Sequence, residues 1–164
     1  MKSIGDILYD ISINSIKANA TKIEVNIHYL NHTLYFEIID NGDGINDLSN
    51  IFEYNSKSFG IKNAKEVCEL CGGNLLIERD KMTKIKMSFD LVNFNCLPYG
   101  NVCEKLYMLK TNLEVSIRFW CDDFDKKIVL TNKESAIFFD DCILLYVNQY
   151  LSKENVNGKI IRRY

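Results

Sequence analysis

Proline is nearly missing from this chain of 164 residues, with Pro98 the only one. It follows a polar stretch at Asn93 to Asn95 and gives the strongest boundary signal in the sequence. Long apolar runs are also missing. None reaches the ~18–20 residues a membrane span needs, so no membrane segment is expected. The start, Met1-Lys2-Ser3-Ile4-Gly5-Asp6, meets an acid too early for a signal peptide, and together these absences predict a cytoplasmic protein. Excess positive charge is absent too. Twenty basic against 22 acidic residues leave a net charge of −2, which gives no electrostatic footing for broad nucleic-acid binding. There is no internal repeat or low-complexity tract. Six cysteines fit reduced thiols better than a disulfide framework, because a chain of this size can build a core. Cys68 and Cys71 form a C-x-x-C with no second pair to complete a four-ligand zinc site, and Cys96, Cys103, Cys121 and Cys142 are scattered.

What is present is the composition of a globular domain, 47% hydrophobic and 26% charged. Ile4, Ile7, Leu8 and Ile11 recur at helical spacing, predicting an amphipathic helix over about 3–18. Lys22 to Tyr29 alternates, with Ile23, Val25 and Ile27 on one face. Thr33 to Asp40 alternates less cleanly, and the polar pair Asn31-His32 makes the two a hairpin. Such alternation implies a sheet covered on one face only. A helix is expected over Ile61 to Cys71, stopped by Gly72-Gly73. A second hairpin, Leu75 to Arg79 and Thr83 to Leu91, turns at Asp80-Lys81-Met82. Beyond Pro98 the pattern reads as a helix (Gly100 to Leu109), strands (Leu113 to Trp120 and Lys127 to Leu130) and a final helix (Glu134 to Leu151). The aromatics Tyr107, Phe119, Trp120, Phe138, Phe139 and Tyr146 are expected in the core of this last part. The fold class is α+β: a two-layer α/β sandwich, its mixed sheet carrying helices on one face.

Asp10 and Asn14 lie four apart on the first helix and so point the same way. A carboxylate and an amide oxygen so placed can hold a hydrated Mg²⁺ or orient a water for attack on a phosphate; they also fit the polar flank of an ordinary helix. In Ile38-Ile39-Asp40-Asn41-Gly42-Asp43-Gly44-Ile45, an acid at a strand end can accept a hydrogen bond from an exocyclic amine. The glycines let backbone approach a planar ring. A surface turn of the Asp-Asn-Gly type is the alternative, although apolar residues bracket the glycines.

These segments resemble a family. Asp10-Ile-Ser-Ile-Asn14-Ser-Ile-Lys-Ala18-Asn19-Ala20-Thr21-Lys22-Ile23, a strand, and Asp40-Asn41-Gly42-Asp43-Gly44-Ile45 look like the N box and G1 box of the GHKL (Bergerat-fold) ATPases, which include gyrase, MutL and histidine kinases. Phe59-Gly60-Ile61, the helix carrying Lys65, Gly72-Gly73 and Thr83 continue the likeness, which covers roughly Ser3 to Leu91. The resemblance implies ATP and Mg²⁺ as cofactors. Asn14 would coordinate Mg²⁺, Asp10 would stand where hydrolysing members carry a glutamate base, and Asp40 would bind the adenine amino group. Gly42 and Gly44 would pack near the base, Gly60 would present backbone N–H groups to phosphate at a helix start, and Thr83 would support the adenine site. Lys65 reads as a surface residue of its helix. The segment from Gly44 to Gly60 is shorter than the usual ATP lid. Lys57 is its only basic residue, and Ser58 stands where a second glycine is expected. Neither His28 nor His32 lies on a dimerisation helix, so autophosphorylation within the chain is not expected.

The chain is thus read as a histidine-kinase-like ATP-binding domain over 1–95 and a small α/β extension over 96–164. The junction around Leu97 to Leu106 resembles that of small clostridial-type stand-alone ATP-binding proteins. The expected function is a regulatory protein that binds Mg²⁺·ATP and hydrolyses it slowly or phosphorylates a protein partner. The alternative is a non-catalytic module of the same fold that docks a partner. The oligomeric state is left open.

Overall fold

Ser3 opens the first helix, α1 (Ile4–Lys17). Its hydroxyl accepts from the Asp6 N–H at 3.2 Å, and the Asp6 carboxylate accepts from the Ser3 N–H at 2.9 Å, a reciprocal capping box. Two more N–H groups are met from far along the chain: Ile4 donates to the Pro98 carbonyl and Gly5 to the Tyr99 carbonyl, both at 2.9 Å. The four donors that a helix start leaves open all have partners. At the other end Asn19 takes the left-handed conformation (φ 59°). Asn19 N–H then donates to Ile16 and Ala20 N–H to Ser15, both at 3.0 Å, in a Schellman stop.

The computed structural model describes residues 3–45, 59–109, 113–121 and 124–130. After α1 come β1 (Lys22–Leu30), β2 (Thr33–Asp40), α2 (Phe59–Leu70), β3 (Leu75–Arg79), β4 (Thr83–Asp90), α3 (Val102–Leu109), β5 (Glu114–Cys121) and β6 (Phe124–Leu130). Asn31 and His32 both have positive φ, 50° and 64°, as the tight turn joining β1 to β2 requires. The expected helix at Glu134 to Leu151 lies outside the described residues. The last expected strand begins earlier than its apolar residues suggest. Phe124 and Asp125 pair back onto Cys121 and Trp120, and Arg118 holds Asp125 through two hydrogen bonds of 3.0 and 2.7 Å.

Among the described residues six strands form one sheet in the order β3-β4-β2-β1-β5-β6. All neighbours are antiparallel except β1 and β5, which makes the sheet mixed. Register places Val25, Ile38, Ile85 and Ile117 in one row and Ile27, Phe36, Met87 and Phe119 in the next. These side chains are buried beneath the helices, together with Ile4, Ile7, Leu8 and Ile11 of α1, Leu106 of α3 and Ala64 of α2. The stretch after Pro98 therefore continues the same sheet and core, with β5 lying beside β1.

Among the described residues the opposite face carries no helix. Tyr35, His28 and Trp120 form a row across β2, β1 and β5 there. The His28 ring stacks on Trp120 with centroids 4.8 Å apart and planes 13° from parallel. The Arg118 guanidinium lies over the Trp120 ring at 4.6 Å. A shallow cavity of about 250 Å³ beside the row is lined also by Asn26, Glu37 and Lys86.

The capping box has a pH signature. The Ser3 N–H, helped by Lys105 at 3.2 Å, holds the Asp6 carboxyl below the ordinary aspartate range. A carboxyl depressed on folding stabilises the fold above its unfolded-state pKa and loses that contribution as pH falls through the folded-state pKa. Wild type should therefore exceed Asp6→Asn by about 0.3–1 kcal/mol at neutral pH, with the gap closing on acidification. Urea unfolding across pH checks this; a gap independent of pH would remove the charge from the argument.

Candidate functional site

At one end of the sheet β2 finishes, β1 and β4 begin, and α1 stops. Asp40, the last residue of β2, is only 4% exposed, and a buried carboxylate needs donors. It has two: the Ser15 hydroxyl reaches Oδ2 at 2.7 Å, and the Gly42 N–H reaches Oδ1 at 2.9 Å. Each carboxylate oxygen can accept more than one hydrogen bond, so capacity for a further donor remains. Thr83, 3% exposed, pairs with Asp40 across the β2–β4 ladder.

The loop after Asp40 is pressed against the end of α1. A Cβ at Gly42 would lie 2.6 Å from the Ala18 carbonyl oxygen, so only glycine fits that approach. The Asp43 N–H donates to the same carbonyl at 2.7 Å, and the Asn19 amide donates to the Asp43 carboxylate at 2.7 Å. Asn41 accepts from the N–H groups of Thr21 and Lys22, each at 3.0 Å. Gly44 follows with φ 78°.

One turn back along α1 from this loop, Asn14 faces the start of α2. A Cβ built on Gly60 would lie 4.0 Å from the Asn14 amide nitrogen. That nitrogen is buried and has no hydrogen-bond partner among the described residues. An unmet buried donor costs roughly 1–3 kcal/mol. It sits beside the first turn of a helix, whose N–H groups also lack partners within the helix. Asp10 lies one turn further back, partly buried. Together these are donors suited to an anion at one end of the site and an acceptor suited to an amine at the other.

The structure thus brings Asp40, Gly42, Gly44 and Thr83 together at the sheet end, and Asn14 beside Gly60 at the junction of α1 and α2. Lys57 and Ser58 lie outside the described residues. Lys65 pairs with Glu69 at 3.2 Å on the surface of α2. Sequence reasoning missed Ser15, Asn19 and Arg79. Ser15 had a signal: it extends the buried stripe Ile4, Leu8, Ile11 at helical spacing, and a polar residue on an apolar stripe must find a buried partner. Cys68 and Cys71 are buried under α2, and burial pushes the Cys68 thiol up to about 12, with Cys71 adding to it. A thiol so raised is a poor nucleophile at neutral pH. Among the described residues no three His, Cys, Asp or Glu side chains gather as a metal site.

Residues 2–93 match the family described as histidine kinase-, DNA gyrase B- and HSP90-like ATPase. The chain belongs to this family of GHKL ATPase domains, and its fold is the ATP-binding fold of that class. No curated protein matches the sequence. Among solved structures, the N-terminal domain of a DNA repair protein is similar, with a TM-score of 0.51 and 16% identity, over 80% of this chain and 54% of that one. At this identity the likeness speaks for the fold, and this chain spans about half the length of that relative. No described helix is long and apolar enough to cross a membrane.

The Ser15 hydroxyl is the lynchpin of the carboxylate's placement. Ser15→Ala leaves buried Asp40 with one donor fewer and should cost about 1.5–3 kcal/mol, the range for hydrogen bonds to charged groups. Urea unfolding measures it, and a loss under ~0.5 kcal/mol, the scatter of neutral surface changes, would show that Asp40 does not depend on Ser15.

Proposed function

We propose that the chain binds Mg²⁺·ATP between α1, the loop after β2 and the start of α2, and acts as a regulatory protein. The observation that carries this reading is the pairing of a buried, donor-held Asp40 at one end of the site with the unmet Asn14 amide beside Gly60 at the other. Adenine presents an exocyclic amine that Asp40 can accept. Phosphate oxygens are acceptors, the class of group that the Asn14 N–H lacks among the described residues and that a helix start favours. The residues therefore fit the nucleotide. Asn14 Oδ1 would supply an oxygen ligand for Mg²⁺, which when bound would neutralise phosphate charge. Asp10, one turn away, would orient or deprotonate a water. The expected activity is slow ATP hydrolysis or phosphorylation of a partner protein. Such a ligand is supplied by the cell interior, so the proposed site of action is the cytoplasm.

A second reading, a non-catalytic module that holds nucleotide and docks a partner, is favoured by one feature of the site. Aspartate at position 10 is a methylene shorter than the glutamate expected of a base, and positioning dominates phosphoryl transfer. Turnover by the purified chain separates the two readings.

Two measurements test the binding itself. Saturating Mg²⁺·ATP at a hundred times Kd should stabilise wild type by ~2.7 kcal/mol. Asp40→Asn should lose that stabilisation, because the amide can present a donor where an acceptor is needed. Its apo form should still fold but melt lower, since the bonds from Ser15 and Gly42 no longer end on a charge. Each ATP-induced shift is therefore read against that protein's own apo value. Equal ATP-induced shifts in the two proteins would remove Asp40 from the site.

Asn14→Ala should weaken ATP binding in magnesium by about tenfold, or ~1.4 kcal/mol, and change binding in EDTA much less. The same loss in both conditions by calorimetry would remove Asn14 as a metal ligand, leaving only its N–H contact to phosphate or a damaged helix.

A further inference from the structure

Arg79 ends β3 at the edge of this site, and nothing in the linear sequence marks it. Its guanidinium lies against Gly44: a side-chain carbon added at Gly44 would run into Nη1 and Cζ of Arg79. The same Nη1 donates to the Thr83 hydroxyl oxygen at 3.3 Å. Thr83 pairs with Arg79 across β3–β4 and with Asp40 across β2–β4, so it stands between a cation and a carboxylate. The guanidinium therefore touches both the loop glycine and the hydroxyl of the residue paired with Asp40.

Arginine stays protonated and can only donate. A hydroxyl oxygen that accepts from it keeps its own proton free to give elsewhere. Thr83 thus keeps a proton to donate, beside the acceptor Asp40 with which it pairs across the ladder. Adenine carries the complementary pair, an amine donor next to a ring-nitrogen acceptor. We propose that Arg79 is a positioning residue of the nucleotide site, acting through Thr83 by fixing its hydroxyl as a donor toward the base. This rests on the nucleotide-binding reading above. Substituting Arg79 leaves Thr83 free to rotate its proton away from the ligand, while backbone pairing of the two strands stays intact.

The test is a double-mutant cycle in Mg²⁺·ATP affinity by calorimetry, using Arg79→Met, Thr83→Val and both together. Each single change should weaken binding about tenfold, and the double variant no more than either single, a coupling of ~1.4 kcal/mol. Arg79→Lys, which keeps a donor, should recover most of the loss, and Thr83→Ser should keep the dependence on Arg79. Apo melting temperatures of the Arg79 variants should match wild type, which a merely structural role would not allow alongside the affinity loss. Additive losses, or unchanged or tighter binding in Arg79→Met, would overturn the inference and leave nucleotide binding standing. A wild type that shows no ATP binding would sink both.

Discussion

The Ala18 carbonyl is the point on which the arrangement turns. It closes α1, accepts from Asp43, and meets Gly42 so closely that no side chain is tolerated there. This contact fixes the loop after β2 against the helix end. Ser15, in the last turn of α1, then reaches Asp40, and Asn19, just past the helix end, reaches Asp43. A buried carboxylate is stable only where donors are already in place. The helix stop and the site are therefore one structure. Moving the stop by a residue would rotate Ser15 away by about 100°, since a helix makes a turn in 3.6 residues.

The opposite end of α1 is held by a different part of the chain. Pro98 and Tyr99 supply the carbonyls that satisfy the first helical N–H groups, and Lys105 of α3 pairs with the capping carboxylate of Asp6. The helix carrying Asp10 and Asn14 is thus pinned at its start by the segment after the only proline and at its end by the glycine loop. β5 lies parallel to β1 directly under that helix layer. Residues beyond the matched family region contribute to the core on which the site rests, because Val115, Ile117 and Phe119 are buried in the same rows as the residues of β1 and β2.

The two faces of the sheet have separate chemistry. One is an apolar layer under the helices. The other sets Tyr35, His28, Trp120 and Arg118 in a stacked row, with Glu37 and Lys84 paired at 3.7 Å nearby. Strand periodicity enforces this division, since neighbours in sequence must point to opposite faces. Asn26 shows what it costs: facing the polar side yet buried, its amide is held by Glu24 and Glu37 at 3.1 Å each, while its carbonyl oxygen finds no partner among the described residues.

Local periodicity was enough to read most elements. The stripe Ile4, Ile7, Leu8, Ile11 and the alternation of Lys22 to Asp40 dictate a helix and a hairpin, because only those geometries put the apolar groups on one side. Asp40, Gly42 and Gly44 were legible for a similar reason: their chemistry sits in one short run, and close backbone approach admits only glycine. Ser15 signals only its need for a buried partner, and Arg79 and the carbonyls of Pro98 and Tyr99 carry no local signal. Their roles depend on which strand lies beside which and on a carbonyl or guanidinium arriving from a distant segment. Nor does any local pattern reveal that β5 runs parallel to β1, since a parallel partner can lie anywhere further along the chain. Sterics and hydrophobic burial act between near neighbours, so residue order alone settles which side chains face the core and where the chain turns. Which donor serves Asp40 and which cation reaches Thr83 follows only from the folded arrangement, because hydrogen bonds and charges act over a few ångströms between groups that folding brings together.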